Sequence, residues 1–261
     1  MRRASLSAVI LILATLIGIV AFLYPFLSPP TRSRQGFAAA HSADAPLFFL
    51  VLLGLCLAVV VANLETRRMD SKIVAVLGVL VAVNAVLRLV PGPGGFSATF
   101  FLPILCGYAY GADFGFLLGA LSLLVSAIVT GGIGPWLPYQ MFAAGWMGMA
   151  SGWLPDLRHR ARVEMILLAI WGALLGLSFG VIINLWFWPY LGAAGMGAHW
   201  QPGLSLRETL GRYLLFYAVT SLWWDVGRAG GNLLLILLFG APLLRLLRRF
   251  QSRFHTTIYE T

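Results

Sequence analysis

The polar side chains that interrupt long apolar runs are the residues of this sequence most able to do chemistry. Asp225, Arg228 and Asn232 are spaced i, i+3 and i+7, so they share one face of a predicted helix. An aspartate and an arginine one turn apart can neutralise each other, and charges inside a membrane usually have a function. We expect this group either to be structural and self-paired or to contact a ligand. A third arrangement pairs Asp225 with Arg88 of another helix.

Three further polar residues lie near the ends of predicted helices. Arg88 follows Asn84 by four residues, and Gln140 and Asn184 are single amides at helix ends. Arg88 can extend to the membrane interface or meet an anionic group of a ligand. A lone amide in a membrane helix serves helix packing or binds a ligand. Arg88, Gln140 and Asn184 are therefore candidate ligand-binding residues.

No arrangement of residues in the sequence predicts catalysis or a metal site. The sequence has no Walker A loop, no Gly-x-Ser-x-Gly and no His-Glu-x-x-His. Its four histidines and two cysteines, Cys56 and Cys106, do not have metal-ligand spacing. Asp225 has no second carboxylate or histidine nearby to complete an acid–base pair. We expect no enzyme activity, no metal and no cofactor in this chain.

The composition predicts an all-α, polytopic transmembrane helical bundle. Hydrophobic residues make up 60% of the 261 residues and charged residues 10%, against about 25% charged in soluble domains. Several apolar runs approach the roughly 20 residues of a spanning helix, and they lack the alternation of a β-barrel. The eight predicted spans are Ser7–Leu27, Pro46–Leu64, Ile73–Val90, Ala98–Ala112, Phe114–Val129, Pro138–Leu154, Met165–Trp188 and Leu210–Leu247.

Two parts are predicted from this pattern. Residues 1–71 hold two N-terminal transmembrane helices, and residues 72–261 hold a six-helix core with a basic C-terminal tail. Arg2 and Arg3 before an apolar run are typical of a signal peptide, but no small-residue cleavage site follows Tyr24-Pro25-Phe26. We therefore expect a first span that is retained.

The basic residues predict the orientation of the chain. The net charge is +9, but the cations lie between the apolar runs and not on one surface, which argues against nucleic-acid binding. With the N-terminus inside, twelve of the eighteen Lys and Arg residues fall on the cytoplasmic side and four on the outer side. Both termini are therefore predicted to be cytoplasmic.

Three predicted outer loops are rich in Gly, Pro and Trp, namely Pro91–Gly95, Gly131–Pro138 and Trp186–Leu206. Their aromatic residues either form a belt at the lipid interface or line a pocket that is open to the outside. Both interpretations remain open. The aromatic residues on this side are Trp136, Trp186, Trp188, Tyr190 and Trp200.

Pairs of small residues four apart allow helices to approach closely, either within one protein or between proteins. The spacing does not distinguish the two cases. The pairs are Gly78 with Ala82, Gly115 with Gly119, and Gly148 with Gly152.

Part of the sequence resembles a known family. The segment Gly134-Pro135-Trp136-Leu137-Pro138-Tyr139-Gln140-Met141, which leads into a Gly/Ala-rich span, resembles the S components of energy-coupling factor (ECF) transporters. The segments Phe114–Ser122 and Ser221–Ala229 are similar to the same family, and the resemblance extends from Ile73 to Arg253. It implies a bacterial cytoplasmic-membrane subunit that binds a vitamin outside and delivers it inside. The implied partners are a transmembrane coupling subunit and two cytoplasmic ATPases, which consume the ATP.

The resemblance also implies roles for particular residues. In the family, small residues on the first core helix contact the coupling subunit, and this helix offers Gly78 and Ala82. The motif is most similar to S components for cobalamin-type corrinoids, while thiamine precursors and queuosine-type bases remain alternatives. A membrane-embedded enzyme acting on a lipid or small molecule, and an assembly protein, are the competing classes. The predicted substrate-binding residues are Arg88, Trp136, Tyr139, Gln140, Asn184, Trp188, Trp224 and Asp225.

Overall fold

The computed structural model describes residues 6–28, 36, 40–66, 69–90, 92, 96–191 and 197–255, with side chains as far as Ser252. Within these ranges the chain forms α-helices and no β-sheet, so the predicted fold class is confirmed. The helices are α1 (Leu6–Leu27), α2 (Ala45–Glu65), α3 (Ser71–Leu87), α4 (Phe101–Tyr110), α5 (Ala112–Thr130), α6 (Leu137–Ser151), α7 (Ala161–Phe187), α8 (Leu206–Thr220) and α9 (Leu222–His255).

Five of these helices, namely α1, α2, α5, α7 and α9, are long and apolar enough to cross a membrane, and α3 and α4 are shorter apolar helices. At 10 residues, α4 is about 15 Å long, and all its residues from Phe101 to Gly107 are buried. Exposed Leu, Ile and Val side chains cover the outside of the long helices. This is the surface that a protein in lipid presents.

The prediction of one long final span, Leu210–Leu247, was wrong, because the chain bends at Ser221. The Ser221 hydroxyl donates to Oδ1 of Asn184, 3.0 Å away, and α8 ends there. The Tyr217 hydroxyl faces the Asp225 carboxylate. Residues eight apart in one straight helix are about 12 Å apart along its axis, so this contact requires two helices.

Glycines set how closely the core helices pack. A Cβ on Gly115 would meet the backbone of Gly148, and a Cβ on Gly148 would meet the backbone of Gly115. A Cβ on Gly119 would likewise meet the backbone of Ala144. The small residues of α5 and α6 therefore bring these two helices together inside the protein. Helices α7 and α9 form a second pair, and α4 lies between the two pairs.

Helix α3 packs on α5 but leaves its own small residues uncovered. Gly78 and Ala82 are exposed, and a Cβ on Gly78 would have no atom within 4 Å. The two N-terminal helices instead pack on α6, where Gly18 of α1 lies against Phe142 and Trp146. Of the three small-residue pairs, the pair on α3 is the one that packs against no other helix in the part of the chain that the structure describes.

Candidate functional site

The segments that join the helices at one end of the bundle bring the predicted polar and aromatic residues to that end. We call it the outer end, because the charge distribution predicts that it is extracellular, and we call the opposite end the inner end. The Pro91–Gly95 loop, except Gly92, lies outside the described residues, as do six of the arginines that predict the orientation.

At the outer end, Arg88 reaches from the end of α3 to α5 and α6. Its guanidinium donates to Oε1 of Gln140 at 3.3 Å and to Oγ of Ser126 at 3.4 Å. No carboxylate among the described residues forms a salt bridge with Arg88. The structure thus brings together two of the predicted binding residues, Arg88 and Gln140. Within the described part of the chain, no carboxylate neutralises the charge of Arg88.

Two unpartnered polar atoms lie in the segment next to Arg88. Asn84 of α3 donates to the carbonyl of Thr99 at 2.9 Å, while Oδ1 of Asn84 and Oγ1 of Thr99 are buried and have no hydrogen-bond partner among the described residues. The Ser97 hydroxyl donates to the carbonyl of Arg88 at 3.4 Å, which holds residues 97–99 over the end of α3. Buried polar atoms in native proteins usually have partners, so these two are positions at which a ligand or water can bind.

Asp225 and Arg228 form an ion pair within α9, so the pairing of Asp225 with Arg88 is not found. The Arg228 guanidinium also lies over the rings of Phe100 and Phe179, 5.5 and 5.0 Å from their centroids. A Cβ on Gly180 of α7 would overlap the Asp225 carboxylate, so glycine makes room for the pair. The pair is neutralised locally and packs between α7 and α9.

Asn232 completes the polar face of α9 and also contacts α7. Its side-chain amide donates to the carbonyl of Gly172 at 3.0 Å. This contact joins two helices, which is the packing role expected of a lone amide in a membrane. The three polar residues of α9 therefore all take part in α7–α9 packing.

Tyr139 points away from Gln140 and towards the N-terminal helices. Its hydroxyl lies 2.5 Å from Nδ1 of His41 and donates to Oδ2 of Asp44 at 2.9 Å. Nδ1 of His41 lies 2.7 Å from Oδ2 of Asp44, and Nε2 donates to the carbonyl of Trp186 at 3.0 Å. This buried network, which we call the His41 cluster, joins the segment before α2 to α6 and α7.

The backbone and charge of the His41 cluster are unusual. His41 has a φ of 55°, in the left-handed region that residues other than glycine adopt infrequently. Burial works to raise the pKa of Asp44, but hydrogen bonds from His41, Tyr24 and Tyr139 outweigh it and hold that pKa below its usual value. The sequence did not reveal this cluster, because its members are far apart in the chain, as His41 and Trp186 are at 145 residues.

A mainly apolar cavity of about 340 Å³ opens beside the His41 cluster. It lies between the start of α2 and the predicted outer loop that precedes α6. Trp136 of that loop is half-buried and packs edge-on against Trp186, with 6.5 Å between the ring centroids. The cavity is lined by Ser42, Ala45, Pro46, Phe49, Ile133, Gly134, Pro135, Leu137 and Pro138.

The remaining predicted binding residues lie elsewhere at the outer end. Trp188 is buried, donates its indole N–H to the carbonyl of Ala198 at 2.8 Å and packs on Tyr213 of α8. Asn184 accepts from Ser221 at the bend between α8 and α9. Trp224 is 57% exposed. A part in ligand binding stays a prediction for all three.

Comparison with known proteins identifies the family. The profile described as "ECF transporter, substrate-specific component" matches residues 72–240, which is more than half of the chain and extends from the start of α3 into α9. No curated protein and no solved structure matches. The matched region contains Arg88, Gln140 and the exposed face of α3, and it leaves out α1 and α2. The chain therefore belongs to the family of substrate-specific components of ECF transporters, which are transport subunits and not enzymes.

Proposed function

We propose that this membrane subunit captures a vitamin at its outer end and hands it to the cytoplasm through an ECF module. The family places the chain in an importer as its substrate-binding subunit, together with transmembrane and ATPase subunits. In the proposed complex one coupling subunit and two cytoplasmic ATPases drive transport, and the ATP binds only to the ATPases. The complex would lie in the bacterial cytoplasmic membrane, with both termini of this chain in the cytoplasm.

The observation that carries the proposal is that Arg88 has no salt-bridge partner among the residues that the structure describes. Placing a guanidinium near a membrane interior is costly unless a partner neutralises it. Gln140 and Ser126 accept hydrogen bonds but carry no charge. A ligand with a phosphate or carboxylate would supply the missing negative charge, and Asn84 and Thr99 offer further polar atoms nearby.

A cobalamin-type corrinoid is the first cargo to test, because the Gly-Pro-Trp-x-Pro-Tyr-Gln-Met segment resembles that branch and the corrinoid phosphate suits Arg88. The cavity of about 340 Å³ lies at the lower end of the roughly 300–1,000 Å³ of small-molecule sites. A corrinoid is larger than the ligands of such sites, so binding would require the outer end to open. By volume a smaller vitamin would fit the cavity without this change, and its anionic group would have to extend beyond the cavity lining to meet Arg88.

The exposed face of α3 is the proposed docking site for the coupling subunit. Gly78 and Ala82 lie there without covering side chains, and small residues allow a partner helix to approach closely. The comparable small residues of α5 and α6 are used inside the protein, which leaves α3 as the helix suited to docking.

Uptake of labelled vitamin tests this proposal. Cells that lack their own uptake system would express this chain with or without a coupling module. Uptake should require both this chain and the coupling module. Arg88→Gln should abolish uptake, whereas Arg207→Gln on the exposed surface of α8 should not. Uptake without the module, or equal uptake by the Arg88 variant, would contradict the proposal.

A further inference from the structure

An open cleft at the inner end collects arginines from two parts of the chain. It lies between Arg158, in the loop before α7, and the C-terminal half of α9, and its volume is about 670 Å³. It lies at the end of α9, which is long and apolar enough to cross a membrane, so we expect it at the membrane–water interface. We call it the arginine cleft; it is lined by Arg158, Arg245, Arg248, Arg249, Gln251 and Ser252.

One arginine of the cleft is rigidly held. Arg248 donates from two nitrogens to Glu164, which is 3% exposed, and its guanidinium lies 5.8 Å from the ring centroid of Tyr108. The Tyr108 hydroxyl donates to Oε1 of Glu164 at 2.8 Å. Two-point pairing of arginine with a carboxylate fixes its direction, so one wall of the cleft is preorganised.

The other charges leave the cleft positive. Arg158 pairs with the exposed Asp156 at 2.8 Å, but Arg245 and Arg249 have no carboxylate partner among the described residues. These two arginines are four apart on one helix face, where like charges repel. Four arginines against Glu164 and Asp156 give a charge of +2, which one or two phosphate groups would neutralise.

We propose that the arginine cleft binds the phosphate headgroup of an anionic phospholipid. Leu246 and Phe250 of α9 are exposed beside it and offer an apolar surface for the acyl chains. Basic pockets between helices at this level of a membrane bind anionic headgroups. Arginines that serve only to orient the chain in the membrane need no fixed geometry. In this cleft the buried Glu164 carboxylate holds Arg248 in one position, which indicates a binding site.

Native mass spectrometry of the full chain tests the inference. The protein would be purified in a neutral detergent and mixed with phosphatidylglycerol, cardiolipin or phosphatidylcholine. The variant Arg245→Gln/Arg249→Gln should retain the two anionic lipids at least about tenfold more weakly, with phosphatidylcholine unchanged. Both side chains are exposed, so the variant should fold, and its thermal midpoint checks this.

The matched control is Arg160→Gln/Arg162→Gln, which removes the same charge at the same end from exposed residues outside the cleft. It should keep the lipids. Equal loss in both variants would mean that binding follows surface charge alone, and no loss in either would place the lipid elsewhere. Displacement of the lipids by an equal concentration of inorganic phosphate would show a free-phosphate site; any of these three results overturns the proposal.

Discussion

Substituting Gly148 with alanine tests how the core is packed. The added Cβ would meet the carbonyl oxygen, carbonyl carbon and Cα of Gly115 on α5. All three are backbone atoms, so no side chain can turn away and the two helices would have to separate. The matched change Gly78→Ala adds the same methyl group where no atom lies within 4 Å.

The expected cost follows from two opposing effects. Overpacking a core costs about 1–3 kcal/mol, and a clash with backbone belongs at the upper end of that range. Replacing glycine by alanine inside a helix stabilises the helix by about 1 kcal/mol. The free energy of unfolding of Gly148→Ala should therefore fall by about 2 kcal/mol, roughly a thirtyfold change in the folded-to-unfolded ratio. Gly78→Ala should be unchanged or slightly more stable.

Thermal unfolding of the detergent-purified variants, followed by intrinsic Trp fluorescence, measures the difference. By the scaling for chains of this size, the midpoint of Gly148→Ala should fall by roughly 4–8 °C. If Gly148→Ala unfolds at the wild-type temperature, the close α5–α6 contact is not present in the protein. If Gly78→Ala unfolds early, α3 is covered within this chain and is not a docking face.

Three further predictions concern docking, binding and pH. Gly78→Leu combined with Ala82→Leu should block co-purification with the coupling subunit while the isolated chain still binds its ligand; an intact complex would move the docking face elsewhere. Trp136→Ala should weaken ligand binding about tenfold or more in calorimetry, since stacking on the ligand would be lost, and unchanged affinity would assign Trp136 to the interfacial belt. Asp44 has a lowered pKa, so its contribution to stability is complete above the usual aspartate pKa of about 3.9 and is lost as the pH falls through the lower, folded-state pKa. The difference in thermal midpoint between wild type and Asp44→Asn should therefore be largest near neutral pH and shrink below about pH 4. A difference that does not change with pH would show that the negative charge of Asp44 does not stabilise the fold.

The fold could be predicted from the sequence because apolar run length decides which segments span a membrane. Contacts within one helix could also be predicted, because helical spacing places Asp225 and Arg228 one turn apart. The bend at Ser221 could not be predicted, since the apolar pattern continues through it. The structure reveals it through the contacts of Ser221 with Asn184 and of Tyr217 with Asp225.

The site was only partly predictable, because neighbouring residues in a helix point in different directions. Tyr139 and Gln140 are consecutive in one sequence motif, yet Gln140 meets Arg88 and Tyr139 meets His41. Successive side chains on a helix differ by about 100° in direction, so a motif does not show which neighbour each residue meets. The contact between His41 and Tyr139 joins residues 98 apart, and no local pattern encodes it.

The most direct test of the proposed function is to identify the ligand of the purified protein. Mass spectrometry and absorbance of the detergent-purified chain would reveal a co-purified vitamin, and calorimetry with a vitamin panel would measure its affinity for wild type and Arg88→Gln. The proposed function predicts tight binding of one vitamin by the chain alone, without turnover, and much weaker binding by the variant. If folded protein binds nothing in the panel, or binds equally well without the Arg88 charge, the proposed capture at the outer end is wrong.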